Sequence, residues 1–236
     1  MPTPQIIKLS EFLLNHISQM HTESGMGPAI DLPHYDMCPR DYLEAAESGL
    51  NSTTKIEKTD CVMHMKQAME CQLNTLFDFF NLSVFKKRNL KLEKQLSFLH
   101  EAGVFNRHSL VRLNAMRNKV EHEHVVPNED LFLYYDLVSA FISVCEHIMG
   151  YLRFSSMAFD IYNDKGEPIG GLTITYERSG PTIRAEWEIS NATEYCTANM
   201  SNHEEFAYLF RVFLLLPRKD FLSLNYVVSQ VNKVSS

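Results

Sequence analysis

Near Arg153 the apolar residues of this chain change their period, and that change limits the folds open to it. Upstream, apolar side chains recur every three or four residues, as one face of an α-helix requires. Downstream, three sets alternate with polar or small neighbours: Met157, Phe159, Ile161; Leu172, Ile174, Tyr176; and Ile183, Ala185, Trp187, Ile189. A period of two puts each set on one face of a strand. Asn163-Asp164-Lys165-Gly166 and Ser179-Gly180-Pro181 supply the turns between them. The expected fold class is α+β, an antiparallel helical bundle followed by a small antiparallel β-meander packed against helices.

Along the helical part, Ile6, Leu9, Phe12, Leu13 and Ile17 predict a helix over about 5–20. Three prolines and two glycines in TESGMGPAIDLPHYDMCPRDY then predict a long irregular connection over 21–58, with a short helix at 40–49. Val62, Met65, Met69, Leu73, Leu76 and Phe80 form the stripe of a second helix at 59–82. A third follows FKKRNLKLEKQ and ends near Ala102-Gly103, where glycine suits a left-handed cap. A fourth begins near Asn106 and carries Leu110, Leu113, Met116 and Val120; it should stop or bend before Pro127. Pro127-Asn128-Glu129-Asp130 opens a long helix to about 151, with Leu131, Tyr134, Val138, Phe141, Cys145 and Ile148 as its stripe.

The expected division is 1–152 as the helical domain, with its core at about 59–151, and 153–236 as an α+β module. One apolar sheet face needs a cover. Phe206, Leu209, Phe210 and Phe213 provide it on a helix after Ser201-Asn202, and FLSLNYVVSQV, whose pattern is ambiguous between helix and strand, is read as a last helix.

Composition excludes some classes. At 45% hydrophobic and 22% charged, the chain is neither fibrous nor disordered. Apolar runs such as VFLLL fall short of the roughly 20 residues that span a bilayer, and the N-terminus lacks the form of a secretory signal. Five unpaired-looking cysteines, Cys38, Cys61, Cys71, Cys145 and Cys196, include no C-x-x-C and predict a reducing, cytoplasmic setting. Cys61, Cys71 and Cys145 lie in apolar helical segments, where cysteine acts as a small hydrophobe. The net charge of −7 is uneven: Val84–His124 holds nine Lys/Arg against four Glu. A polyanion-binding surface on an acidic protein is therefore open to it.

Within that basic stretch stands RNKVEH, Arg117 to His122, with His124 two residues on. The spacing alone carries little weight, because chance supplies about one such Arg-to-His pairing in a chain of this composition. Arg117 and Glu121 also make an ordinary i,i+4 surface pair. His122 and His124 diverge by about 200° on a helix and cannot share a metal ion there. No metal site or cofactor is expected, and no phosphate-binding glycine loop or G-x-S-x-G is present.

The stretch LHEAGVFNRHSLVRLNAMRNKVEHEH resembles the HEPN superfamily (higher eukaryotes and prokaryotes nucleotide-binding domains), helical bundles with an R-x4–6-H motif and often a polar residue after the arginine, as Asn118 is. The resemblance covers about 59–151. It implies a metal-independent endoribonuclease acting through the ribose 2′-OH, with His122 as acid/base, Arg117 as phosphate clamp and Asn118 orienting the pair. Histidine suits proton transfer near neutrality, and a planar guanidinium grips two phosphate oxygens. His124 is the alternative acid/base: on an unbroken helix it returns to the Arg117 face, whereas His122 lies about 140° away. Lys86, Lys87, Arg88, Lys91, Lys94 and Lys119 are candidate RNA-backbone contacts, although a solvated helix start is the commoner use of such a run. The resemblance further implies RNA as partner, a homodimer with paired motifs at its interface, an antitoxin or regulatory protein, no membrane, and a role as toxin or in phage defence. A non-catalytic module binding nucleotide, RNA or protein is the alternative. His64, His100, His108 and His147 are expected on helix surfaces or satisfied in the core, and Trp187 in the core.

Overall fold

The structure is a computed structural model that describes residues 2–26, 34–82, 92–106, 108, 111–112, 114–115, 118–119, 130–151 and 155–234. Among these residues are seven helices and a five-stranded antiparallel sheet, so the fold is α+β. Two compact units make it up: residues 31–100 with 104–151, and residues 1–30 with 101–103 and 152–236. A sequence boundary near 152 is present, but residues 1–30 belong with the sheet rather than with the helical unit.

α1 (Pro4–His16) falls in the sheet unit; in the helical unit α2 (Pro39–Glu47), α3 (Lys55–Phe79), α4 (Leu92–Glu101, of which Glu101 falls in the sheet unit) and α5 (Leu131–Tyr151) follow in order. Thr54 caps α3 by accepting the Glu57 N–H at 3.3 Å, and the hydroxyls of Ser52 and Thr54 both donate to the Glu57 carboxylate. Those donors hold the carboxyl below its ordinary range. The predicted stripes of α3 and α5 are buried throughout, from Val62 to Phe80 and from Leu131 to Ile148. Phe105 meets Phe141 edge-on at 5.4 Å.

Short α2 lies against both long helices. Its start meets Glu146 through Arg40 and its end meets Tyr135 through Glu47, so it runs antiparallel to α5. Cys71 bonds Met37 and Cys61 bonds Ala46, which makes α2 antiparallel to α3 as well. The two long helices therefore share one direction across it.

Among the described residues one helix, Leu131–Gly150, is long and apolar enough by length and composition to cross a membrane. A count of consecutive apolar residues overlooks it, because Asp136 and Glu146 interrupt the run. Buried residues fill one continuous stripe on it, which is also how the core helix of a bundle is built.

In the sheet unit, α1 (Pro4–His16) and β1 (Met20–Met26) precede β2 (Ser156–Tyr162), β3 (Pro168–Glu177), β4 (Thr182–Ile189), β5 (Ala192–Asn199), α6 (His203–Leu215) and α7 (Leu224–Val231). The spatial order is β1-β2-β3-β4-β5. Two strands were not expected. β1 takes the end of the stretch read as helix, Met20, and the start of the one read as irregular connection, and its partner is β2, with Met20 opposite Ile161. β5 follows β4 through Ser190 and Asn191, both at positive φ (50° and 67°), the geometry of a two-residue hairpin turn. Gly170 is required for a different reason: a Cβ there would lie 2.0 Å from the Glu188 carbonyl oxygen across the β3–β4 ladder.

Apolar residues of the sheet share one face, including Phe159, Leu172, Ile174, Tyr176, Ile183 and Trp187, all buried. α6 covers it as expected, with Phe210 and Phe213 each 6.0 Å from the Tyr176 ring. α1 adds a second cover, since Phe12 lies 5.6 Å from Trp187. That contact explains why residues 1–30 fold with the sheet: the stripe Ile6, Leu9, Phe12 and Leu13 is buried in this unit.

Candidate functional site

Of the predicted motif, Asn118 and Lys119 lie among the described residues; Arg117, His122 and His124 do not. Lys86, Lys87, Arg88 and Lys91 also fall outside, while Lys94 is on α4 and exposed. Asn118 and Lys119 have helical backbone, the first half-buried and the second exposed. So have His108, Val111, Arg112, Asn114 and Ala115, in keeping with a helix beginning after Asn106. Upstream, α4 ends at Glu101 and Gly103 follows with φ of +70°, the left-handed cap expected there. Downstream, Asp130 accepts the Phe132 N–H at 3.0 Å and so caps the start of α5.

Histidines without an evident sequence partner mostly have local ones. His147 Nδ1 lies 2.6 Å from the Ser143 carbonyl one turn back, His64 Nδ1 lies 3.2 Å from Gln67, and His100 Nδ1 lies 3.4 Å from the Phe105 carbonyl. Trp187 is buried in the sheet face, as expected.

Each unit has an open groove among its described residues. In the sheet unit a groove of about 550 Å³ lies between the start of α1 and the edge strand β5. Its walls carry the Lys8–Glu194 ion pair at 3.0 Å and the buried Glu205, whose carboxylate accepts the Thr3 N–H at 2.6 Å. Beside it on β5, Tyr195 takes the Arg184 guanidinium over its ring at 4.7 Å, and Arg184 pairs with Glu186. Lys8 pairs with Glu194 and Arg184 with Glu186, so these four charges are compensated locally, and Glu205 is met by the Thr3 N–H.

In the helical unit a groove of about 440 Å³ lies between residues 35–42 and the outer side of α3. Tyr35 donates its hydroxyl to Asp78 at 2.5 Å. Burial, and then the Asp78 carboxylate it faces, holds that phenol above its ordinary range. Cys71 lines the same groove and is half-exposed, unlike Cys61 and Cys145, which are buried. The expectation that all three act as core hydrophobes thus holds for two. Sequence reading had no signal for this groove, because its walls meet across more than thirty residues and neither wall carries a motif.

The chain matches no protein-family model, no curated protein and no solved structure. The HEPN resemblance accordingly rests on residues 99–124 themselves.

Proposed function

We propose that the chain is a metal-independent endoribonuclease, with Arg117 and a histidine of the 122–124 pair as its reactive centre. The observation that carries this reading is the sequence Arg117-Asn118-x3-His122 in the most basic part of an acidic chain, just ahead of a long helix. In the proposed reaction His122 takes the proton of a ribose 2′-OH, and the oxygen attacks the adjacent phosphorus. The bond to the 5′-oxygen breaks, and that oxygen leaves protonated, giving a 2′,3′-cyclic phosphate and a 5′-hydroxyl. Arg117 neutralises the charge growing on the phosphate oxygens, the type of stabilisation that dominates such steps. Asn118, on helical backbone, orients the pair, and Lys86, Lys87, Arg88, Lys91 and Lys119 follow the RNA backbone. A homodimer joins two motifs, and the sheet unit selects substrate or regulates. A toxin or defence role follows only from the resemblance.

The test uses wild type, Arg117→Ala, His122→Ala and His124→Ala with mixed RNAs in excess EDTA, followed by mapping of the product ends. Wild type should leave 2′,3′-cyclic phosphates, and activity should fall at least about 10²-fold with Arg117→Ala and with one histidine variant. The histidine that matters is thereby identified. Cleavage indifferent to all three substitutions excludes this centre. Absence of cleavage, with RNA binding lost in Arg117→Ala, identifies a non-catalytic binding module instead.

A further inference from the structure

Cys38 and Cys71 stand 33 positions apart in sequence, and the fold brings Cys71 to the peptide group that precedes Cys38. Cys71 Sγ, on α3, lies 3.6 Å from the carbonyl oxygen of Met37, the peptide group that joins Met37 to Cys38. By standard peptide dimensions that oxygen is about 2.8 Å from the next Cα, so the Cys71 sulfur is at most about 6.4 Å from Cys38 Cα. Cys38 is exposed and Cys71 lines the groove, so an aqueous oxidant reaches both. Cys38 stands at the N-cap of α2, its N–H donating to the Asp41 carboxylate at 2.7 Å, and residues 34–38 carry neither helix nor strand. The backbone there has no ladder to break if the sulfur turns towards α3.

We propose that Cys38 and Cys71 form a dithiol modification site that takes hydrogen peroxide and closes to an intramolecular disulfide, tying the start of α2 to α3. In the first step the Cys38 thiolate attacks one peroxide oxygen, the O–O bond breaks, and water leaves after protonation, giving a sulfenic acid. Cys71 sulfur then attacks the Cys38 sulfur, the S–O bond breaks, a second water leaves, and the S–S bond forms. Two thiols lose two electrons and two protons, and one peroxide becomes two waters. The other three thiols are unsuited: Cys61, Cys145 and Cys196 are buried, and burial pushes each of them up, Cys196 to about 12. Cys71 is also raised, by burial first and then by the nearby Cys38, which fits the second, resolving position. In a reducing compartment a disulfide of this kind is transient and reports oxidant. None of these residues belongs to the Arg117 motif, so the two proposals can fail separately.

The full-length reduced chain is treated with one to two equivalents of hydrogen peroxide, unfolded, and titrated for thiols. Two of the five thiols should disappear, and non-reducing peptide mapping should return a Cys38–Cys71 linked pair from a monomer. Cys38→Ser and Cys71→Ser should each abolish the link; serine keeps the main-chain N–H at position 38 that donates to Asp41, and a thermal melt confirms folding. Retention of all five thiols, a link to a buried cysteine, or dimers joined through Cys38 would each overturn the proposal.

Discussion

Arg211 Nε donates to the main-chain carbonyl of Glu101 at 2.6 Å, and its Nη2 bonds the same oxygen. Nη1 of the same side chain reaches the carbonyls of Lys233 at 2.9 Å and Gln230 at 3.5 Å. One guanidinium thus donates to three main-chain carbonyls, those of Glu101, Gln230 and Lys233. Burial lowers its affinity for the proton, yet arginine stays charged at any ordinary pH. Arg211→Met should cost about 2–4 kcal/mol, because the carbonyls lose charged donors in a partly buried place. Arg211→Lys should recover less than half, since a single ammonium cannot fork. Urea denaturation measures both; a loss below about 0.5 kcal/mol would show that water replaces the guanidinium.

The sheet unit buries several protonated acids, and this sets a direction in pH. Burial pushes Cys196 from 9.0 to about 12, Tyr208 from 10.0 to about 12, and Tyr176 higher still. Each folded-state value is raised, so the stability these groups contribute is whole below about pH 9 and is lost as pH climbs towards 12. Each group should steepen the loss by up to about 1.4 kcal/mol per pH unit. Urea midpoints at pH 8, 10 and 11 should fall progressively, and Tyr176→Phe should soften the last part of the fall. A flat profile to pH 11 would mean these groups ionise in place.

Phe210 is buried against Phe206, Phe213 and Tyr176, whereas Phe221 is 84% exposed. Phe210→Ala should cost about 3–5 kcal/mol through lost burial and the cavity left behind. Phe221→Ser should change stability by less than about 0.5 kcal/mol. Equal effects in chemical denaturation would contradict the assignment of α6 as the sheet's cover.

Arg40 and Glu146 make a forked pair between α2 and α5, at 2.9 and 2.5 Å. The hydrogen bond to Glu146 raises the Arg40 guanidinium above its ordinary value. Side chains 55% and 36% exposed are screened by solvent, however. A double-mutant cycle with Arg40→Ala and Glu146→Ala should give a coupling of no more than about 1 kcal/mol, smaller still in high salt. A coupling of 3 kcal/mol would mark the pair as a buried anchor.

Helices α3, α5 and α6 and strands β2 to β4 were legible because each holds its own apolar periodicity. Ser223, which accepts the Tyr226 N–H at 3.3 Å, likewise resolved the ambiguous final stretch into α7. β5 was missed although a signal existed: Ser190-Asn191 is a workable two-residue turn, since asparagine tolerates positive φ. In the strand itself only Cys196 and Ala198 are buried, too few to show alternation. For the candidate reactive centre, Asn118 and Lys119 are described, and the remaining motif residues are known as sequence alone.

By itself the sequence determined the fold class, most element types and the face each element buries, because periods of 3.6 and 2 act over a few neighbouring residues. The tertiary structure alone decided partnership between distant segments. MHTESGM becomes a strand because β2 presents an edge to it some 135 positions later, with Met20 opposite Ile161. Phe12 goes to Trp187, and the Met37 carbonyl comes to Cys71, through the same long-range packing. Such pairings depend on which surfaces remain uncovered once the local elements exist, and no local period encodes them.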